Sequence, residues 1–352
     1  MKQRFRAVDV ARGIAMICII LGHLGSMEIN RVVFTFHVPI FFLITGYFTH
    51  RVEGSTWGYV QKKARTLLVP YAVTCCVIIL LAFLSGVLRQ HDFLEGLRRA
   101  SEWVYASVYG AGDSYTKPFR IKEIGALWFL WATFWGSLIL YGTLRLKAVH
   151  RIAIILSVFF LGRWSRELFW FPLSIQAGCS AALFMYLGWC FRQCKENLSE
   201  LPIEEKIAGL IFALIIWISF IRDFRSFWLV HCDIGRGAID VFGSLCACTC
   251  VLVLSGFIDK KAGWLAKLLA YIGRYSVLLL SVHIVELNLF PWFRWIASLN
   301  EAGLLPEAWN LYARIFLKLL FDLPMAVLLS RIPFVRKVYA LQEPGKQKTK
   351  DR

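Results

Sequence analysis

The sequence predicts an all-α fold, a polytopic membrane bundle of about ten transmembrane helices. The chain has 352 residues, of which 58% are hydrophobic and only 18% are charged. Its apolar stretches are mostly ~15–22 residues long, close to the length that a helix needs to cross the hydrocarbon core. The predicted spans are residues 8–24, 31–49, 66–88, 126–144, 149–162, 175–191, 207–221, 238–258, 268–289 and 309–330.

The distribution of Lys and Arg between the spans predicts the orientation. With a cytoplasmic N-terminus, 23 of the 40 basic residues fall in the tails and in the loops on the cytoplasmic side. Both termini are therefore predicted to be cytoplasmic. The first span follows Lys2, Arg4 and Arg6, as a secretory signal would, but it lacks a small-residue cleavage site and nine further spans follow, so we expect it to be retained.

Two segments follow from this organisation, a membrane domain over residues 1–335 and a basic, disordered cytoplasmic tail over residues 336–352. The formal net charge of +17 arises largely from basic residues beside the spans, where they face anionic headgroups. We therefore expect a multi-pass protein of the plasma membrane, with the lipid bilayer as its partner and no nucleic acid.

Arg12 and His23 stand in one apolar run of the first span. Eleven helical steps bring the two side chains within roughly 20° of one face, about 16 Å apart along the axis. Burying Arg in lipid costs on the order of 3 kcal/mol or more, so such residues usually face a protein interior or a wet cavity. We predict that this pair is the reactive axis of the protein.

Asp9 stands one turn before Arg12 and can pair with it. One interpretation is a structural ion pair at the cytoplasmic interface. The other is that Asp9 holds Arg12 so that the guanidinium binds an anionic ligand entering from the cytoplasm.

His37 enters the second span only fourteen residues after His23, on the same side of the membrane. The short connection makes the two helices antiparallel neighbours, so the two imidazoles are expected at similar depth. Imidazole is well suited to remove a proton from an alcohol near neutral pH. Metal binding by the two rings with Glu28 is the weaker interpretation, and we predict no metal ligand set.

Two polar pairs occur in the last spans. His283 and Glu286, three residues apart, can hydrogen-bond on one helix, as either core polar groups or site residues. Lys318 and Asp322, four residues apart, are predicted to form an intrahelical ion pair that offsets their burial.

Five segments, in this order and spacing, resemble the membrane acyltransferase family 3, which includes sugar O-acetyltransferases of the fucose 4-O-acetylase type. The segments are VDVARGIAMICIILGH, FHVPIFFLITGYF, KKARTLLVPY, ALWFL and GRYSVLLLSVHIVEL, and the likeness extends from about residue 4 to residue 330.

The resemblance implies about ten helices, an acyl-coenzyme A donor on the cytoplasmic side and a carbohydrate or related hydroxyl acceptor. It implies that Arg12 and His23 mark the active helix. It also carries over His37, Arg65, Trp128 and His283 as supporting positions.

The side chains assigned to donor binding also have simpler explanations. The basic residues Lys62, Lys63 and Arg65 lie where the second cytoplasmic loop meets the third helix. They can be anchors that follow the positive-inside rule, or they can bind the phosphates of coenzyme A. Trp128 stands in an aromatic cluster that could stack on adenine or a sugar, or form part of an interfacial belt.

The predicted function is that of an integral membrane O-acyltransferase. It moves an acyl group, most simply acetyl, from acyl-coenzyme A to a hydroxyl of a carbohydrate or cell-envelope glycan, with no bound cofactor. Partner proteins of glycan biosynthesis are part of this expectation. The alternative is an exporter or flippase of a polysaccharide or glycolipid, for which translocation would survive His23→Ala.

Overall fold

The computed structural model describes residues 5–50, 55–116 and 119–341, without the side chains of residues 89 and 90. Within those residues the fold is all-α, and the single β-type contact is an isolated bridge between Tyr115 and Ile121. The first half of the chain forms α1 (Arg6–Gly22), α2 (Met27–Val33), α3 (Pro39–Tyr47), α4 (Thr56–Gln90), α5 (Phe93–Tyr109), α6 (Trp128–Thr143), α7 (Ala148–Ser165) and α8 (Ile175–Gln193). The second half forms α9 (Lys195–Glu200), α10 (Ile203–Arg222), α11 (Ala238–Lys261), α12 (Gly263–Arg274), α13 (Ser276–Leu289), α14 (Trp292–Glu301), α15 (Asn310–Leu329) and α16 (Pro333–Val338).

Several helices are long and apolar enough to cross a membrane, in agreement with the predicted class. Over the described ranges these are Thr56–Leu88, Gly125–Thr143, Ala148–Ser165, Pro172–Gln193 and Ala238–Lys261, with α12 and α13 as a sixth if the bent pair is one span. The remaining predicted spans are less regular. α1 has 17 residues, and α15 carries three charged side chains, Arg314, Lys318 and Asp322.

Two of the predicted spans are broken. The span predicted at 31–49 consists of α2 and α3, because Pro39 begins a new helix instead of continuing the old one. Inside a continuous helix its ring would remove the hydrogen bond to Thr35, whereas the first helical position tolerates it. The span predicted at 268–289 bends by 74° at Tyr275, between α12 and α13.

Glycines allow the helices around α1 to approach closely. A Cβ on Gly13 would overlap the backbone carbonyl of Leu269 in α12, and a Cβ on Gly273 would overlap that of Asp9 in α1. Small residues at a membrane helix crossing let the two backbones come into contact. α1 is thereby fixed against the bent pair that carries His283.

The segment predicted as a tail begins inside α16, and its first residues pack against the bundle. The Tyr339 hydroxyl lies 3.0 Å from Oγ1 of Thr74 in α4. Residues 342–352 of the predicted tail lie outside the described residues.

Candidate active site

A cavity of about 350 Å³ opens beside the C-terminal end of α1. Its wall combines two imidazoles, an amide and a carboxylate with aromatic rings from three parts of the chain. The lining includes His23, Asn30, Phe34, His37, Asp113, Trp128, Phe129, Phe227 and Trp228. We call this end of the bundle the His23 end, and the opposite end, where α1 begins, the Arg12 end.

His23 stands at the end of α1 because the helix stops there. Gly22 is the last helical residue, and Gly25 follows with a φ of +74°, a left-handed conformation that suits glycine. The His23 Nδ1 lies 2.8 Å from the Ile19 carbonyl oxygen. A carbonyl can only accept, so Nδ1 carries the hydrogen and Nε2 keeps the lone pair. The ring is exposed to the cavity and can act as a base there.

His37 lies in the break between α2 and α3 and lines the same cavity. Its Nδ1 donates to the Val33 carbonyl over 2.6 Å, and its ring packs on Phe34 at a centroid distance of 4.9 Å. The same reasoning as for His23 leaves the lone pair on Nε2. The short connection between the helices therefore brings two imidazoles of the same tautomer into one cavity.

His283 lies behind His23, and the two rings meet edge to face at a centroid distance of 5.1 Å. His283 Nδ1 lies 2.8 Å from Asp322 Oδ2 and 3.3 Å from Glu286 Oε2. The predicted interaction of His283 with Glu286 is thus present as a contact, whereas the short Nδ1 hydrogen bond of His283 is to Asp322.

Lys318 and Asp322 belong to this cluster, and their predicted intrahelical pairing is wrong. Lys318 Nζ lies 2.9 and 3.0 Å from the two oxygens of Glu286, and Asp322 accepts from His283. All four residues are at most 4% exposed. In such a site an ion is stable only if other charges and donors replace its water, and here partners on the neighbouring helix α13 provide them. We call His283, Glu286, Lys318 and Asp322 the buried quartet.

Three members of the buried quartet also resemble a metal ligand set. His283, Glu286 and Asp322 offer ligand atoms within 4.8 Å of one another. The Lys318 ammonium, however, already contacts both Glu286 oxygens, so the chain itself supplies a cation to this carboxylate. A metal ion would have to displace it, and we assign the charge neutralisation to Lys318.

At the Arg12 end, cations from two helices come together. The ammonium of Lys63 in α4 lies close enough to Lys62 and Arg12 to be repelled by both charges. Lys62 and Arg65 are exposed, whereas Lys63 is half-buried with its ammonium 5.7 Å from the centre of the Tyr59 ring. Asp9 is 4% exposed, one turn before Arg12 on α1. Arg12 and Lys63 are thus neighbouring cations on two helices.

Trp128 does not belong with these cations. It lines the cavity at the His23 end, at the start of α6, whereas Tyr141 near the end of α6 stacks on Tyr59 at 3.9 Å. Thirteen helical residues separate the two ends of α6 by about 20 Å. Trp128 is therefore placed beside His23, and Lys62, Lys63 and Arg65 lie far from it.

The mouth of the cavity contains polar residues that the sequence analysis did not identify. Asp113, between α5 and α6, accepts from His231 Nε2 over 2.9 Å, which lowers the pKa of Asp113. Trp228 stacks on His231 at 5.5 Å and contacts Phe34 edge to face at 5.8 Å. Asn30 Oδ1 is buried and has no hydrogen-bond partner among the described residues. These residues lie in loops and in a short helix, where no periodic pattern distinguishes them.

These features define a helical membrane protein with an imidazole-lined cavity at one end and a basic cluster at the other. A family model described as an acyltransferase domain matches residues 5–330. The chain therefore belongs to the membrane acyltransferase family 3. No curated protein and no solved structure matches it.

Proposed function

We propose that this protein is a membrane O-acyltransferase of the plasma membrane. It would move an acyl group, most simply acetyl, from acyl-coenzyme A to a hydroxyl of a carbohydrate or cell-envelope glycan. The observation that carries this proposal is the position of His23, which presents a free Nε2 to a cavity at the end of the helix that also bears Arg12. Family membership supports acyl transfer as the reaction class.

His23 is the proposed general base. Its Nε2 takes the proton from the acceptor hydroxyl, and the oxygen attacks the thioester carbon. The tetrahedral intermediate collapses by breaking the carbon–sulfur bond, and the leaving thiolate of coenzyme A takes from His23 the proton that came from the acceptor hydroxyl. The proton, the acyl group and the charge are thereby balanced without any further reactant.

Arg12 and Lys63 are proposed to bind the donor. Coenzyme A is anionic through its phosphate groups, and a guanidinium binds phosphate oxygens in a fork geometry. A spacing of about 16 Å between Arg12 and His23 along α1 suits the two ends of an extended pantetheine arm. The basic cluster at the Arg12 end would then face the cytoplasm, as the positive-inside rule predicts. Lys62 and Arg65 would attract the anion from solution.

The acceptor is proposed to enter at the mouth of the cavity. Trp228 and Trp128 offer flat apolar surfaces for a sugar ring, and Asp113 and Asn30 offer oxygen atoms that accept from hydroxyl groups. His37 would orient the reacting hydroxyl beside His23.

The direct test uses membrane vesicles with radiolabelled acetyl-coenzyme A and the vesicles' own glycolipids as acceptor. Two quantities are measured, the free thiol released and the label recovered in the glycolipid fraction. We expect both in the wild-type protein and neither in His23→Ala, whereas His150→Ala, which changes an exposed histidine at the start of α7, retains both. Thiol release and labelling that survive His23→Ala would overturn the role of His23. Their absence in the wild-type protein would overturn the reaction for this donor.

A further inference from the structure

The buried quartet contains two carboxylates and one ammonium, so the Glu286 and Lys318 pair leaves the second carboxylate, Asp322, to be compensated by another group. The oxygens of Glu286 contact Lys318, His283 and the Trp292 indole N–H. Asp322 contacts only His283 through Oδ2, and its Oδ1 has no hydrogen-bond partner among the described residues. When the His283 imidazole is neutral, the formal charge of the quartet is negative by one. In that form the uncompensated charge belongs to Asp322.

His283 connects this charge to the cavity. Its Nδ1 faces Asp322 on α15, so Nε2 on the opposite edge of the ring points away from α15. In the described part of the chain that nitrogen is buried without a hydrogen-bond partner. The His23 ring lies 5.1 Å away. Only one ring therefore separates the Asp322 carboxylate from the proposed base.

We propose that Asp322 is a positioning residue of the acyl-transfer site and the counter-ion of the proton that His23 removes from the acceptor hydroxyl. It fixes the tautomer and orientation of His283 by accepting from Nδ1. Its negative charge stabilises the imidazolium that forms on His23 while the thioester carbon is tetrahedral. The proton then passes from His23 to the thiolate of coenzyme A, and His23 regains its neutral form.

This arrangement distinguishes Asp322 from Glu286 and Lys318, which form the ion pair of the quartet. Glu286 and Lys318 neutralise each other, so removing both leaves the net charge behind His23 unchanged. Removing the charge of Asp322 alone abolishes this net negative charge. The inference rests on the proposed function, since it requires a proton on His23 during the reaction.

The test compares Asp322→Asn with the double variant Glu286→Gln/Lys318→Met. Both are assayed in membrane vesicles with acetyl-coenzyme A and the endogenous glycolipids, with the rate expressed per folded protein. Asp322→Asn is expected to lower kcat at least ~100-fold, as the loss of acid–base assistance does, with the KM for acetyl-coenzyme A within about threefold. The double variant is expected to keep kcat within about tenfold, because its net charge is preserved.

A second pair of variants covers the case in which Asp322→Asn does not fold. Asp322→Glu and Asp322→Gln are alike in size and differ in charge, so kcat should be higher for Glu. Equal kcat values in this pair, or a double variant as slow as Asp322→Asn, would overturn the inference and leave only a role in helix packing. An inactive wild-type protein would instead overturn the proposed function, and the inference with it.

Discussion

The imidazoles of His23 and His283 meet edge to face 5.1 Å apart, on the first and thirteenth helices of the chain. His23 is exposed to the cavity, whereas His283 is fully buried and in contact with carboxylates from two helices. The contact joins the candidate base to the buried quartet.

The Glu286–Lys318 ion pair can be tested by comparing the free energy of unfolding of single and double variants. Lys318→Met leaves the Glu286 carboxylate without its ammonium in a buried site, which costs about 3–5 kcal/mol. The double variant Glu286→Gln/Lys318→Met removes both charges and should recover most of this loss. Thermal unfolding in detergent, followed by near-ultraviolet circular dichroism, measures the difference. A double variant no more stable than Lys318→Met would contradict the assigned pairing.

The mouth of the cavity should determine the affinity for the acceptor. Trp228→Ala removes an aromatic surface worth about 0.5–1.5 kcal/mol in stacking, so the half-saturating concentration of glycolipid acceptor should rise roughly two- to tenfold. The KM for acetyl-coenzyme A should stay unchanged. Trp264→Ala, which truncates a highly exposed tryptophan of α12, is the matched control. If Trp228→Ala changed only the KM for acetyl-coenzyme A, the acceptor would bind elsewhere.

The cations at the Arg12 end should determine the affinity for the donor. Lys63→Ala removes a charged hydrogen-bond donor whose contacts are worth about 1.5–3 kcal/mol, so the KM for acetyl-coenzyme A should rise roughly tenfold or more. The exposed Lys147, just before α7, provides the control variant Lys147→Ala. Initial rates over a range of donor concentrations give both KM values. Equal effects of the two substitutions would indicate general attraction of the anion and no specific site.

The glycine contact between α1 and α12 should be essential for folding. In Gly273→Ala the new Cβ overlaps the Asp9 carbonyl, so the helices must separate and the yield of folded protein should fall sharply. Gly256 in α11 has open space around it, and Gly256→Ala should stabilise the helix by about 0.5–1 kcal/mol. Size-exclusion profiles and thermal unfolding compare the two variants. A well-folded Gly273→Ala protein would contradict the close crossing.

The sequence predicted the parts of the site that depend on local spacing. The connection between His23 and His37 is too short to place the two rings far apart, and both line one cavity. His283 and Glu286 are one turn apart and do interact. The length of the apolar stretches likewise predicted the all-α fold class. A segment in lipid must satisfy its own backbone hydrogen bonds, and a helix does so.

What the sequence could not predict depends on contacts between distant segments. Lys318 and Asp322 fit an intrahelical pair, and only the packing of α13 against α15 shows that each has a better partner. Trp128 could stack on adenine or on a sugar by its aromatic character alone, and only the fold shows that its place at the start of α6 is beside His23. Asp113 and Trp228 come from separate loops that meet only in the folded protein.

The central claim is that His23 performs acyl transfer to a cell-surface glycan. The most direct measurement is mass spectrometry of surface glycans from cells that lack the gene and are complemented with the wild-type, His23→Ala or His150→Ala protein. We predict that an acyl group absent from the deletion strain returns with the wild-type and His150→Ala proteins and stays absent with His23→Ala. Its return with His23→Ala, or glycans identical with and without the gene, would contradict the claim.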